Sequence, residues 1–370
     1  MSPTSLVLHC HREDVFLRGH EAFTLTHVAR RLAELIGCEF AGRHDRRRRY
    51  PGRLFVFAID PLLPEEARAL GVTSAADVFG SVVPHEIVAT KAITHELVHP
   101  RAVRPAAWWA EFGARVSGAV LPGYTVFSAR DARTATRRLL AGGAARAKDP
   151  LGAASRGQTV IDGPRDLDKL LEGWDGEALA RHGLVLERNL ARVQCRSIGQ
   201  VRVADLVMSY HGVQRETTDN DGGPAYGGSD LACVRGGWEA LEGLALSPQI
   251  RQAIAQARVY DDAATAVLPD FLASRRNYDV GQGVDAAGRS YSGVFEASWR
   301  PGGASGAEVA ALQVFAADPA VERVDVSTVE RHGHDAEPPP EACVHFRGVD
   351  PRSGPALRYT LITSIARRAA

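Results

Sequence analysis

Lys148 stands immediately before the run Leu151-Gly152-Ala153-Ala154-Ser155-Arg156-Gly157. A backbone poor in Cβ atoms can bring its N–H groups close to an anion. A lysine beside such a loop adds a compact point charge suited to phosphate. The chain holds three lysines, Lys91, Lys148 and Lys169, against 41 arginines, so an ammonium here runs against the composition. The chemistry implied is nucleotide phosphate binding: the lysine on the α and β phosphates, with Gly152, Ser155 and Gly157 closing over the β and γ phosphates. No Gly-Lys-Ser/Thr occurs, and the glycines follow the lysine rather than precede it, so neither a Walker A loop nor a protein-kinase loop is present.

A second constellation concerns a cation. Asp279 and Glu296 flank a turn at Asp285-Ala-Ala-Gly288, so an antiparallel hairpin would bring the two carboxylates together. Adjacent carboxylates repel unless a cation lies between them, and hard oxygen ligands suit Mg²⁺. Glu296, Ser298 and Arg300 fall on one strand face by two-residue periodicity, which aims Arg300 at the same phosphates. The apolar run Leu184-Val-Leu runs into Glu187 and continues to Leu190. Such a strand can end at a hinge whose backbone C=O and N–H read an adenine edge.

The elements that must position these residues fall into four stretches. Residues 1–120 alternate strand and helix, with strands over Ser5 to His9 and Arg53 to Ile59 and helices over His20 to Leu35, Pro64 to Leu70, Ser74 to Phe79 and Pro105 to Val116. That is an open, Rossmann-like α/β unit. Residues 121–190 read as a small α+β lobe. Residues 191–310 read as a second lobe, with one strand over Arg196 to Met208, an irregular Thr217 to Ser229 stretch rich in Asp, Asn and Gly, a helix over Ser247 to Leu272 and the carboxylate hairpin. Residues 311–370 read as a small β-rich appendage.

Composition limits the function classes. A chain of 370 residues, 45% hydrophobic and 24% charged, is an ordinary globular protein. Its zero formal net charge offers no field for nucleic acid, and the basic run Arg46 to Arg49 is short. No stretch approaches about 18 uninterrupted apolar residues, so no membrane span is expected. Cys10, Cys38, Cys195, Cys233 and Cys343 are scattered and lack a Cys-x-x-Cys pair, which implies free thiols and a reducing, cytoplasmic setting. His95-Glu96-Leu97-Val98-His99 fits the two-histidine zinc-hydrolase pattern, an alternative chemistry if the segment is helical, although Pro100 follows at once. His211 and Gln214 are further candidates to face a substrate.

The order of lysine, glycine-rich loop, strand ending in glutamate, aspartate, and Glu296-Ala-Ser298-Trp-Arg300 before Pro301-Gly-Gly resembles the ATP-grasp superfamily over roughly residues 100 to 310. Within it, Ala89-Thr-Lys-Ala-Ile-Thr-His95, Tyr226-Gly-Gly-Ser-Asp230 and Ser274-Arg-Arg-Asn-Tyr-Asp279-Val look most like an uncharacterised bacterial family of unknown function. The resemblance implies an ATP-grasp fold of two α+β lobes behind a pre-ATP-grasp domain, with ATP and Mg²⁺ as cofactors and a small-molecule substrate. It places Lys148 on phosphate, Glu187 and Leu190 on adenine, Asp279, Glu296 and Ser298 on metal, and Arg300 on the transferring phosphoryl group. Arg104 is the nearest second basic residue, with Lys91 as its rival. Ser298 departs from the usual asparagine, a stronger metal ligand. The activity implied is a ligase that activates a carboxylate as an acyl phosphate for an amine or other nucleophile. A nucleotide-binding regulatory module without turnover is the non-enzymatic counterpart.

Overall fold

A computed structural model describes residues 3–11, 19–152, 157–333 and 337–368. The first unit contains β1 (Ser5–His9), α1 (His20–Ile36), β2 (Glu39–Arg43), β3 (Leu54–Ala58), α2 (Pro64–Leu70), β4 (Val78–Phe79) and β5 (Ser81–Val82). The first four strands form a parallel sheet in the order β2-β1-β3-β4. β1, β3 and β4 are buried on both faces, as parallel strands usually are, while the edge strand β2 stays partly exposed. Leu6, Leu8, Phe55 and Phe57 pack with α1, and the alternate residues Val7, Val56 and Ala58 pack with Ala67 and Leu70 of α2.

Two helices expected in this region are shorter than their sequence pattern. Ser74 caps only a single 3-10 turn, Ala75–Asp77, before the chain extends into β4. The Pro105 segment becomes helical only at Ala110, giving α3 (Ala110–Val116). Before it, Trp108 is buried and its indole Nε1 donates to Ala92 O at 3.0 Å, so tertiary anchoring replaces helix there.

The next unit is β6 (Gly123–Val126), α4 (Ala129–Leu140), β7 (Ala145–Lys148), β8 (Gln158–Ile161), α5 (Pro164–Glu172), α6 (Gly176–His182) and β9 (Leu184–Arg188). Its antiparallel sheet runs β6-β9-β7-β8. Ala135 and Leu139 of α4 cover Ala145, Ala147, Leu184 and Leu186.

The remainder comprises β10 (Ala191–Val203), β11 (Leu206–Thr218), β12 (Pro224–Arg235), α7 (Trp238–Glu242), α8 (Pro248–Val267), β13 (Leu272–Ala273), β14 (Arg275–Val284), β15 (Ser290–Ser298), α9 (Ser305–Ala317), β16 (Val321–His332), β17 (Cys343–Asp350) and β18 (Gly354–Arg367). One eight-stranded sheet runs β15-β14-β10-β11-β12-β16-β18-β17. The segment after residue 310 therefore continues the sheet of the second lobe rather than standing apart from it. The Arg196 to Met208 stretch is likewise two strands, not one. They are joined by a two-residue turn in which Ala204 adopts φ 49°. The Thr217 to Ser229 stretch, read as irregular, is a hairpin. Asp219 makes its turn by accepting from the backbone N–H of Asp221 and Gly223 at 3.0 and 2.7 Å, and β12 starts at Pro224. None of the five cysteines is joined in a disulfide. Among the described residues no helix is long and apolar enough to cross a membrane.

The last strands are also tied to the first helix. Helix α1 has no capping side chain of its own at Gly19. Asp350, at the end of β17, supplies one: its Oδ2 accepts from the His20 backbone N–H at 2.6 Å and lies 2.7 Å from His20 Nδ1, while Oδ1 accepts from the N–H groups of Arg352 and Ser353 at 2.8 Å. Burial alone would raise this carboxyl, but those N–H donors outweigh it and hold it well below its ordinary value of 3.8. A depressed carboxyl stabilises the fold above its unfolded pKa, and that contribution fades as pH falls through the folded value. Asp350→Asn is thus expected to cost roughly 1–3 kcal/mol at pH 7, with the gap to wild type shrinking below pH 3.8. Urea midpoints across this range measure it. Equal midpoints at pH 7 would mean that the cap contributes nothing.

Candidate active site between the two lobes

Lys148, at the end of β7, is nearly inaccessible, and its Nζ lies 2.5 Å from Glu187 Oε1 on β9. The pairing follows from register: Lys148 opposes Val185 and Arg146 opposes Glu187, two residues along the same antiparallel ladder. The other carboxylate oxygen of Glu187 faces His95 Nε2 at 3.2 Å. The His95 ring lies against Gly123, where any Cβ would collide with it. Burial alone would raise Glu187, but the Lys148 charge and the His95 hydrogen bond outweigh it and keep the carboxyl below its usual range. The Lys148 ammonium also lies 4.0 Å from the centre of the Phe295 ring, on β15 of the second lobe. The Phe295 ring in turn crosses Gly281, where no Cβ could be accommodated.

The expected hairpin is present, and Asp279 and Glu296 are directly opposed in its register. Lys91, held nearly buried on a 3-10 turn, lies 2.9 Å from Glu296 Oε2, and its Nζ also donates to Gly152 O at the start of the small-residue loop. The cluster therefore joins the segment before α3, both lobes and the loop. Asp279 accepts from Asn277 Nδ2 at 2.9 Å and is further hydrogen-bonded by Gln214. These contacts do not offset burial and the facing Glu296 charge, so the Asp279 carboxyl is raised above its ordinary value. The Cys195 thiol, on β10, is pushed well up by burial and by Asp279.

A raised carboxyl carries a sign. The folded state holds the proton more tightly, so the carboxylate imposes no penalty below its unfolded value of 3.8, and an increasing one as pH rises through the folded value. Asp279→Asn is expected to melt at a higher temperature than wild type at pH 7–8 in metal-free buffer, the two converging near pH 3.8. A lower melting temperature for the variant at pH 8 would show that Asp279 is not destabilised by its neighbour.

Several expected site residues lie elsewhere or act otherwise. Glu187 is the next-to-last residue of β9, as the apolar run predicts, but the strand is paired on both sides there and the Glu187 side chain is committed to Lys148 and His95. Leu190 is buried beside Gly283. Arg104 is exposed and its Nη1 donates to Pro100 O at 3.0 Å, so it stays in solvent while Lys91, its rival, enters the cluster. Ser298 Oγ accepts from Arg275 Nη1 at 3.3 Å, an engagement with a cation that disfavours metal ligation. Arg300 follows the end of β15 and donates from Nη1 to Pro301 O at 3.1 Å. Gly152 and Gly157 close the mouth of the loop through Asp149, whose N–H donates to Gly157 O at 2.8 Å. Ser155, with Ala153 and Ala154, lies outside the described residues. His211 lines a separate cavity with Arg196 and Asp325.

The zinc reading fails on geometry. Residues 95–99 are not helical, so the two imidazoles do not share a helix face. His95 is turned onto Glu187, and His99 Nε2 is 3.7 Å from Asp131 Oδ1. Among the described residues these histidines belong to no cluster able to hold a metal.

Two lysines, an opposed carboxylate pair and a small-residue loop make a donor set that fits a nucleotide phosphate with a hard dication. Solved structures of similar fold carry such ligands. N5-carboxyaminoimidazole synthetase from Staphylococcus aureus, complexed with ADP, matches with a TM-score of 0.53 at 12% identity over 98% of this chain and 94% of that one. The biotin carboxylase domain of the Hydrogenobacter thermophilus 2-oxoglutarate carboxylase, in complex with MgADP, ADP and bicarbonate, gives 0.53 at 12% identity over 100% and 87%. N5-carboxyaminoimidazole synthase from Aspergillus clavatus, with ADP and 5-aminoimidazole ribonucleotide, gives 0.50 at 11% identity over 98% and 94%. The chain has the ATP-grasp fold. No curated protein matches it in sequence. Residues 7–360 match the family described as "Protein of unknown function (DUF3182)", and the chain belongs to that family.

Proposed function

We propose that the chain is an ATP- and Mg²⁺-dependent ligase that activates a carboxylate of a small-molecule substrate for attack by an amine or other nucleophile. The observation that carries this reading is the convergence of Lys91 and Lys148 on Glu296 and Glu187, with Asp279 opposite Glu296, where the two lobes meet. Lys148 and Lys91 would hold phosphate, and Asp279 and Glu296 the metal. When bound, Mg-ATP supplies the phosphoryl group. The protein's part is positioning and charge neutralisation, because phosphoryl transfer needs little covalent help from side chains. Phe295 and the Gly152 end of the loop would exclude water from the lysine side of the site.

A panel of carboxylic acids and amines, scored for ADP and phosphate release with Mg²⁺, tests this reading alongside calorimetric titration with Mg-ATP. Turnover that needs both an acid and a nucleophile is the expected result. Binding without ADP formation across the panel would favour a regulatory nucleotide module. Failure to bind Mg-ATP at all would end the reading.

A further inference from the structure

Far from the lysine cluster in sequence, His27 of α1 and Cys343 and His345 of β17 bring three metal-ligating atoms within 4.8 Å of one another. His27 Nε2 lies 3.3 Å from Cys343 Sγ, and the two imidazoles meet edge to face with centroids 4.7 Å apart. A tetrahedral zinc shared by an imidazole nitrogen and a thiolate separates those atoms by about 3.5 Å, given bond lengths of about 2.0 and 2.3 Å. The spacing is already close to what an ion would impose.

His345 adds an independent sign. Its Nε2 lies 2.7 Å from Thr360 Oγ1, while its Nδ1 is buried with no hydrogen-bond partner. A metal-bound histidine typically donates its other ring N–H to an oxygen acceptor, which fixes the tautomer and leaves the second nitrogen as a lone pair. His345 shows that arrangement with the lone-pair nitrogen unsatisfied. Gly306 makes room for it, since a Cβ there would press on both Thr360 and His345. Burial lowers both imidazoles, His345 to about 3, so each is neutral and able to ligate at neutral pH. Arg31 Nη1 donates to Cys343 Sγ at 2.9 Å. Each of the three ligand residues keeps part of its surface exposed.

We propose that His27, Cys343 and His345 form a zinc site that staples α1 of the first unit to β17 of the last sheet strands, with a fourth position left for water. Two imidazoles and a thiolate suit a borderline-soft ion and not Mg²⁺, so this site and the carboxylate pair would select different metals. The proposal is independent of the nucleotide reading.

The test uses the full-length, untagged chain stripped with chelator and titrated with Co²⁺ and then Zn²⁺. One equivalent of Co²⁺ should produce a thiolate-to-cobalt charge-transfer band that Zn²⁺ bleaches, and Zn²⁺ should raise the melting temperature of the wild-type chain by mass action. The band should vanish in Cys343→Ser and persist in Cys38→Ser. Thr360→Val should weaken Zn²⁺ binding by roughly tenfold or more, through loss of the oxygen that orients His345. Absence of both the band and the thermal shift in the wild-type chain overturns the site, a result that needs no variant to fold. A band that survives Cys343→Ser also overturns it, since the sulfur would then be another cysteine.

Discussion

Lys148→Met is expected to destabilise the protein by about 3–5 kcal/mol, because it leaves the Glu187 carboxylate buried without its cation. It should also weaken nucleotide binding about ten- to a hundredfold, through loss of one charge-assisted contact. Separating these effects needs a second change. Lys148→Met combined with Glu187→Gln removes the orphaned charge and leaves an amide able to hydrogen-bond His95. The double variant should recover much of the lost stability while its affinity for Mg-ATP stays near that of the single variant. Denaturant midpoints and calorimetric titrations of the three proteins decide the matter. If Lys148→Met is as stable as wild type, the buried pair contributes nothing. If the double variant binds Mg-ATP as wild type does, Lys148 is no phosphate ligand.

The parts of this site legible in the sequence are those whose chemistry is local. The Asp285 to Gly288 turn fixes a hairpin, a hairpin fixes which residues face each other, and Asp279 therefore meets Glu296 as expected. The glycine-rich loop after Lys148 marked a strand end correctly for the same reason. Partners contributed by distant segments were not legible. Nothing near Glu187 indicates that His95, 92 residues earlier, would share its carboxylate, or that Lys148 would neutralise it. The motif that suggested a zinc ligand at His95 was real as a pattern, but without helical backbone its two imidazoles diverge onto different carboxylates.

Strand boundaries are hidden in the sequence where strands turn without the usual residues. Ala204 adopts a left-handed conformation that glycine or asparagine would ordinarily announce, so two strands read as one. The Asp219 hairpin was hidden by the opposite fault, since its glycines and acids look like loop throughout. Strand β12 tolerates Gly227 and Gly228 because close neighbours occupy the space that side chains would fill. The strands after residue 320 have alternating patterns of their own, but only pairing with β12 shows that they extend the second lobe.

Arg275 carries the other large expected effect, and its role is visible only in three dimensions. It is fully buried and shares its guanidinium between two tasks. Nε and Nη2 grip the Glu308 carboxylate at 2.8–3.1 Å, while Nη1 donates to Ser298 O at 2.9 Å, Ser298 Oγ at 3.3 Å and Arg300 O at 2.6 Å. Tyr210 links this pair to the site, its hydroxyl lying 2.7 Å from Glu308 Oε1 and 2.9 Å from Asn277 Oδ1, and Asn277 donates to Asp279. Arg275 thus fixes the backbone just after Glu296 and, through Tyr210 and Asn277, the carboxylate opposite it. Arg275→Met should cost about 3–5 kcal/mol, since Glu308 would keep a buried charge with no counterion. Arg275→Lys separates charge from geometry. A lysine can neutralise Glu308 but lacks the planar fork needed to hold Ser298 and Arg300 at the same time. It should therefore recover part of the stability lost in Arg275→Met, yet bind Mg-ATP with a raised Mg²⁺ requirement, because Glu296 is no longer held in register against Asp279. Denaturant midpoints and Mg²⁺ dependence of nucleotide binding test the two halves separately. An Arg275→Lys protein matching wild type in both would show that the guanidinium acts only as a buried counterion, with no part in setting the geometry of the carboxylate pair.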